Sequence, residues 1–196
     1  MEGGREVALS SHRSSWFRDG WHGALCYSSY YKFAAKMIGG EKRVLDIGCG
    51  DGLGTWILAK ECGSAKGIDQ DREAIAVAQK NWREKRIDFE CSRLAELQPR
   101  IWDAVVSLDA DREFKAKNKR SFFAALKQNL SHDGIAILGI PGFLRQRSLR
   151  KKAKRLEGEM RRCFRHVFMF STCDEMIHAG VSDSANYFIA VGCRSK

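Results

Sequence analysis

The stretch Val44-Leu45-Asp46-Ile47-Gly48-Cys49-Gly50-Asp51-Gly52 constrains this chain more than any other. Arg43 to Ile47 reads as a short buried strand, three glycines follow at alternate positions, and Leu53 to Glu61 reads as a helix. Glycines so placed permit a tight strand-to-helix turn and let a ligand lie against bare backbone. The expectation is a nucleotide-binding α/β unit, and spacing removes two versions of it. A GxGxxG fingerprint begun at Gly48 needs glycine at 53, where Leu53 stands. Begun at Gly50, it needs glycine at 55, where Thr55 stands. No Gly-Lys-Ser/Thr follows, which excludes a P-loop. Asp46, two residues before the first glycine, is a poor neighbour for a pyrophosphate. It is a good neighbour for an α-ammonium group, through a charge-assisted hydrogen bond.

Strand and helix patterns alternate along the whole chain. A helix over Ala24 to Met37, ended by Gly39-Gly40, precedes the first strand. After the Leu53–Glu61 helix come a strand over Ala65 to Ile68, a helix over Arg72 to Lys85 and a third strand over Ile87 to Cys91. A fourth strand covers Ala104 to Leu108, followed by a helix over Asn118 to Leu130 and a fifth strand over Ile135 to Ile140, stopped by Pro141-Gly142. A basic helix over Leu144 to Arg162 precedes two last strands, His166 to Phe170 and Tyr187 to Val191. Such alternation predicts a Rossmann-like, doubly wound α/β sheet, mainly parallel. No helix pattern separates the last two strands, so the edge there is expected to be antiparallel. Ligands of such sheets bind beyond the carboxyl ends of the strands, at the switch point beside the first. Asp69, closing Lys66-Gly67-Ile68-Asp69-Gln70, then sits next to the glycine loop, where a carboxylate can accept bonds from both ribose hydroxyls. It can also serve the amino end of the following helix.

With 196 residues, 44% hydrophobic, the chain is expected to be a single domain, 1–196, with a cap-helix region over 1–40 and the core over 41–196. No stretch approaches the about 20 apolar residues that a spanning helix needs. Met1 to Ser15 lacks the apolar core of a secretory signal, which gives a cytoplasmic expectation. The seven cysteines are odd in number, irregularly spaced and without a CxxC pair, so neither a disulfide framework nor a zinc site is expected. Cys91 and Cys193, in apolar runs, read as small core residues. The net charge of +10 is concentrated in Arg145 to Arg165, where ten basic residues meet only Glu157 and Glu159. That excess suits an anionic partner or a solvated helix face.

The run from Val44 to Gly52 resembles motif I of the class I S-adenosylmethionine-dependent methyltransferases, and the resemblance extends over roughly Phe33 to Val191. It implies a seven-stranded sheet with a reversed last strand. The ending, Phe164 to Ser171 with Asp174-Glu175 and His178-Ala179-Gly180, is similar to small bacterial methyltransferases. By this resemblance Asp46, Gly48, Cys49, Gly50 and Gly52 hold the methionine end of the cofactor, Asp69 the ribose, and Gln70 lies beside the adenine. Arg93 stands where the family often has an acid, so backbone groups of Arg93 or Leu94 would read the adenine. Ser107, ending strand four, is a candidate cofactor contact. Asp109 is a candidate for positioning or deprotonating a hydroxyl, with loop capping near Asp111 as the alternative. Tyr31, on the amino-terminal helix, is expected to cap the cofactor, with simple helix packing as the alternative. His178 is a second candidate base, against a structural histidine. No metal is implied, and no Asn/Asp-Pro-Pro-aromatic motif marks amino methylation. The expected acceptor is a small molecule or sugar-type hydroxyl. RNA, reached through the basic 145–165 segment, comes second, and a non-enzymatic binding protein on the same fold third. The oligomeric state stays open.

Overall fold

The structure is a computed structural model and describes residues 20–97, 101–109, 119–141 and 146–195. The expected polar start, Met1 to Ser15, lies outside them, as do Trp16, Asp111, Asn118, Gly142 and Arg145.

Helix α1 spans Trp21–Ile38 and buries Gly23, Cys26, Tyr27, Tyr30, Tyr31, Ala34, Ala35 and Ile38. Steps of three and one residues put these on one stripe of the helix, which is what drives it onto the sheet. Gly39, at φ 58°, ends it in a conformation other residues resist. Strand β1 (Arg43–Ile47) and helix α2 (Leu53–Glu61) have the expected bounds. Strand β2 (Ser64–Asp69) leads into α3 (Arg72–Asn81), whose cap Asp71 accepts from the N–H groups of Glu73 at 2.9 Å and Ala74 at 3.2 Å. Strand β3 (Ile87–Cys91), a single 3-10 turn and β4 (Trp102–Ser107) follow. Then come α4 (Lys119–Asn129), β5 (Leu130–Pro141), α5 (Gln146–Cys163), β6 (Phe164–Cys173), β7 (Met176–Ala179) and β8 (Tyr187–Ser195).

Among the described residues the strands form one eight-stranded sheet in the order β3-β2-β1-β4-β5-β8-β6-β7. The pairs β2–β3, β1–β2, β1–β4 and β4–β5 are parallel, whereas β5–β8, β6–β8 and β6–β7 are antiparallel. Six strands thus run one way and β7 and β8 the other. The expected α/β architecture and antiparallel edge are present, with one strand more than the expected seven. The additional strand is β7, which turns back on β6 through Asp174 and Glu175.

Alternation along each strand divides the core in two. Leu45, Val105, Leu138 and Phe188 face α4 and α5, packing with Leu126, Leu156 and Met160. Val44, Val106, Ile137 and Ile189 face α1 and α2, packing with Tyr27, Ala34 and Leu58. Expectation and structure part at three places. Helix α3 stops at Asn81, short of Lys85, because Trp82 leaves the helix to donate its indole N–H to the Asp51 carbonyl at 2.8 Å. Strand β5 begins at Leu130, which pairs with Trp102. A register shift follows before Ile135 meets Ala104, so Ser131 to Gly134 belong to a bulged strand that starts five residues before the expected Ile135. Cys91 is exposed and Cys193 only half-buried, because both lie toward strand ends where the covering helices stop.

Candidate active site at the carboxyl ends of β1, β2 and β4

Gly48, Gly50 and Gly52 have φ of 75°, 55° and 82°, so all three use the left-handed region that glycine enters without strain. The loop is tied to β2: the N–H groups of Gly48 and Cys49 both donate to the Ile68 carbonyl, at 2.8 and 3.1 Å. A Cβ on Gly52 would strike Phe89 at 2.6 Å and Trp82 at 2.7 Å, so the floor of the loop is packed solid. On Gly48 the same atom would meet nothing within 4 Å. Helix α2 starts at this loop with Gly52 as its cap, and the Leu53 N–H donates to the Asp51 carboxylate at 3.5 Å.

The two carboxylates have different surroundings. Asp69 is partly exposed, and one of its oxygens accepts the Gly50 N–H at 2.9 Å while the other accepts the Asp71 N–H at 3.0 Å. It therefore latches the glycine loop to the start of α3 and keeps further acceptor capacity facing the cleft. Asp46 is fully buried. Its oxygens accept from the Tyr31 hydroxyl at 3.2 Å and the Thr55 hydroxyl at 2.6 Å. The expected direct contact between Asp46 and an α-ammonium group does not fit this burial. The side chain points into the α1–α2 face of the sheet, and its charge acts from behind the loop. Tyr31, expected to cap the cofactor, is itself buried and stands between α1 and Asp46. Cys49 is also turned inward, its Sγ packed near Gly67, so it offers the cleft only backbone.

Gln70 and Arg93, both exposed, meet side chain to side chain, the Arg93 Nε donating to Gln70 Oε1 at 2.9 Å. They bridge the ends of β2 and β3. Leu94 is buried in the core, which leaves its backbone as the part available to a ring. Ser107 is buried at the end of β4, with Asp109 partly exposed beyond it. The structure does not bring His178 to this edge. It lies exposed on β7, opposite Ser171, four strand spacings from β4 in the sheet order, or about 19 Å.

Tyr187, which sequence reasoning passed over, reaches the β4 edge instead. Its hydroxyl donates to the Leu108 carbonyl, and its ring stacks on Tyr30 at 4.5 Å. Gly139 makes room for it: a Cβ there would lie 2.0 Å from the Tyr187 hydroxyl. Burial, then the neighbouring Asp109 carboxylate, push the Tyr187 phenol well above its ordinary value, so it stays a neutral donor. A lone glycine inside the apolar run of β5 was the available signal. Thr55 was visible only as an absent glycine, and Trp82 only as part of a helix face.

Residues 44–134 match a family model described as a methyltransferase domain. Ubiquinone biosynthesis O-methyltransferase of Pseudomonas entomophila is 36% identical over 73 residues, which are 35% of this chain and 32% of that protein. The chain thus spans about a third of the length of the curated relatives it matches. Among solved structures, a TehB-like SAM-dependent methyltransferase from Corynebacterium glutamicum has a TM-score of 0.64 at 19% identity, over 94% of this chain and 98% of that one. The N-methyltransferase NodS from Bradyrhizobium japonicum, in complex with S-adenosyl-L-homocysteine, has a TM-score of 0.60 at 19% identity, over 91% of this chain and 87% of that one. No helix among the described residues is long and apolar enough to cross a membrane. Residues 44–134 thus match a methyltransferase domain, and the α/β fold around them is the one these solved methyltransferases have.

Proposed function

We propose that this protein transfers a methyl group from S-adenosylmethionine to a hydroxyl of a small-molecule or sugar-type acceptor. One observation carries the reading: a left-handed glycine loop, open at Gly48, is latched by the partly exposed carboxylate of Asp69. Such a cradle suits an adenosyl group, with the backbone of Gly48 and Gly50 against the amino-acid tail and Asp69 on the ribose. Gln70, Arg93 and the backbone at Leu94 border the adenine side, and Ser107 the sulfur side. When bound there, the cofactor supplies an electrophilic methyl on a sulfonium, so the protein's main work is alignment, worth up to about 7–11 kcal/mol in favourable systems. Asp109 stands where it can orient an acceptor hydroxyl or take its proton. Tyr187, held neutral beside it, fixes the Leu108 backbone and thereby the position of that carboxylate. The O-methylation named for the Pseudomonas entomophila relative supports a hydroxyl acceptor.

The test is calorimetric titration with S-adenosylmethionine. Wild type should bind; Gly48→Ala, which has room for its Cβ but strains a backbone at φ 75°, should lose binding while circular dichroism still reports a folded, less stable chain. Binding unchanged in Gly48→Ala would refute the cradle.

A second reading, an RNA acceptor, has one observation in its favour. On and just after α5, Lys151, Lys154, Arg155 and Arg165 are exposed and have no ion-pair partner among the described residues. The rest of the segment is partly neutralised, through Arg150–Asp183, Arg161–Glu157 and Arg162–Glu159. RNA contact there would weaken steeply with salt, and absence of binding at low salt would remove this reading.

A further inference from the structure

At the amino-terminal end of α1, three side chains of metal-ligating type converge. His22 and Cys26 are one turn apart on the helix, and Glu175 comes from the turn between β6 and β7. Their ligating atoms all lie within 4.8 Å of one another. The sequence hid this group, because the turn lies about 150 positions beyond the helix: His22 and Asp174 are 152 residues apart.

Two of the distances have the size of a coordination shell, and Glu175 has to close in from within 4.8 Å. His22 Nε2 is 3.7 Å from Cys26 Sγ and 3.3 Å from Asp174 Oδ1. A tetrahedral zinc with ordinary bond lengths places its nitrogen and sulfur about 3.6 Å apart, and its nitrogen and oxygen about 3.3 Å apart. The turn is also held in place by an outer layer of bonds. The Tyr30 hydroxyl donates to the Asp174 carbonyl at 2.8 Å, and Asn186 Nδ2 donates to Asp174 Oδ1 at 3.2 Å. Thr172 Oγ1 in turn donates to Asn186 Oδ1 at 3.0 Å. Asp174 itself sits at φ 55°, in the left-handed region that aspartate enters more readily than most residues at a turn. Outer bonds of this kind are what orient ligands in metal sites.

We infer that His22 Nε2, Cys26 Sγ and a Glu175 carboxylate oxygen form a binding site for a zinc-class divalent ion, with Asp174 beside the fourth position. One thiolate, one imidazole and one carboxylate suit zinc and exclude hard ions such as magnesium and calcium, which take oxygen ligands. Binding displaces the Cys26 proton to solvent and leaves a thiolate on the metal. The ion ties the first turn of α1 to the β6–β7 turn. It thereby fixes the helix that carries Tyr30 and Tyr31, without touching the glycine loop. The inference does not rest on the methyltransferase reading, since its readout is metal binding.

The experiment uses the full chain, stripped of metal, titrated with zinc against a chromophoric chelator, and with cobalt followed by absorption. Wild type should bind one zinc per chain with a dissociation constant below about 1 µM. Cobalt should give tetrahedral bands and a thiolate charge-transfer band. Cys26→Ser and His22→Ala should each weaken zinc about 100-fold or more, and Glu175→Gln about 10-fold. Glu175 is exposed, so its variant does not threaten the fold. Cys173→Ser, at a neighbouring exposed thiol, should change nothing. Wild type without sub-micromolar binding, zinc affinity unmoved by Glu175→Gln, or a cobalt thiolate band that survives Cys26→Ser would each overturn the site.

Discussion

Gly54→Ala sets helix propensity against packing, and the structure decides the sign. Gly54 is the second residue of α2, and alanine in a helix is ordinarily worth about 0.5–1 kcal/mol over glycine. Here the added Cβ would stand 2.1 Å from Tyr31 Cζ, 2.3 Å from Cε1 and 2.6 Å from Cε2. The ring cannot swing away freely, since Tyr31 is only 3% exposed and donates to Asp46. Overpacking of this kind costs about 1–3 kcal/mol, and a strained Tyr31–Asp46 bond adds to it. The net expectation is a loss of about 2 kcal/mol, or a fall in Tm of about 4–8 °C for a chain of this size. Thermal and urea unfolding followed by circular dichroism measure it. In a Tyr31→Leu background the clashing ring atoms are gone, so the same Gly54→Ala change should stabilise by roughly 0.5–1 kcal/mol. A stabilising Gly54→Ala in the wild-type background, or an equal cost in both, would refute the placement of α1 over the start of α2.

Other expectations follow from the same contacts. Asp69→Asn should weaken S-adenosylmethionine by about 10-fold or more, since a charge-assisted acceptor is worth about 1.5–3 kcal/mol; calorimetry reads it, and an unchanged affinity contradicts the latch. Thr55→Val leaves one oxygen of the buried Asp46 carboxylate without its 2.6 Å donor, and should cost about 1–3 kcal/mol in urea unfolding. Burial, then Glu61, push the Cys62 thiol from its ordinary 9.0 up to about 11. A folded value above the unfolded one means stability is fully present below pH 9 and declines between about pH 9 and 11. Cys62→Ala should flatten part of that decline in urea midpoints measured across the range. Tyr187→Phe should lower kcat more than cofactor affinity, because the lost bond lies at Leu108 beside Asp109 and away from the glycine loop.

Much of the loop at the ends of β1 and β2 was legible in sequence because it is local. The glycine loop, Asp69 and the strands around them are set by a few adjacent residues whose backbone requirements are strict, and β1, α2 and β3 have their expected bounds. What escaped depends on residues distant in the chain. Asp46 reads as a ligand until Tyr31 and Thr55 are seen to occupy it from either side. Tyr187 reads as the start of a strand until Gly139 is found beneath its ring. Strand β7 carried no apolar alternation because it is an edge strand, exposed along most of its length. Cys91 reads as core from the strand it closes, yet β3 is the edge of the sheet and Cys91 ends it exposed.

The family match begins at Val44 and stops at Gly134, and that boundary runs through the cleft. The floor and the Asp69 latch lie inside it. The Tyr30–Tyr187 stack and the β6–β7 turn lie outside, on α1 and on the strands after β5. Substitutions around the Tyr30–Tyr187 stack therefore fall outside the matched stretch and leave untouched the Gly50–Asp69 bond that holds the loop in shape.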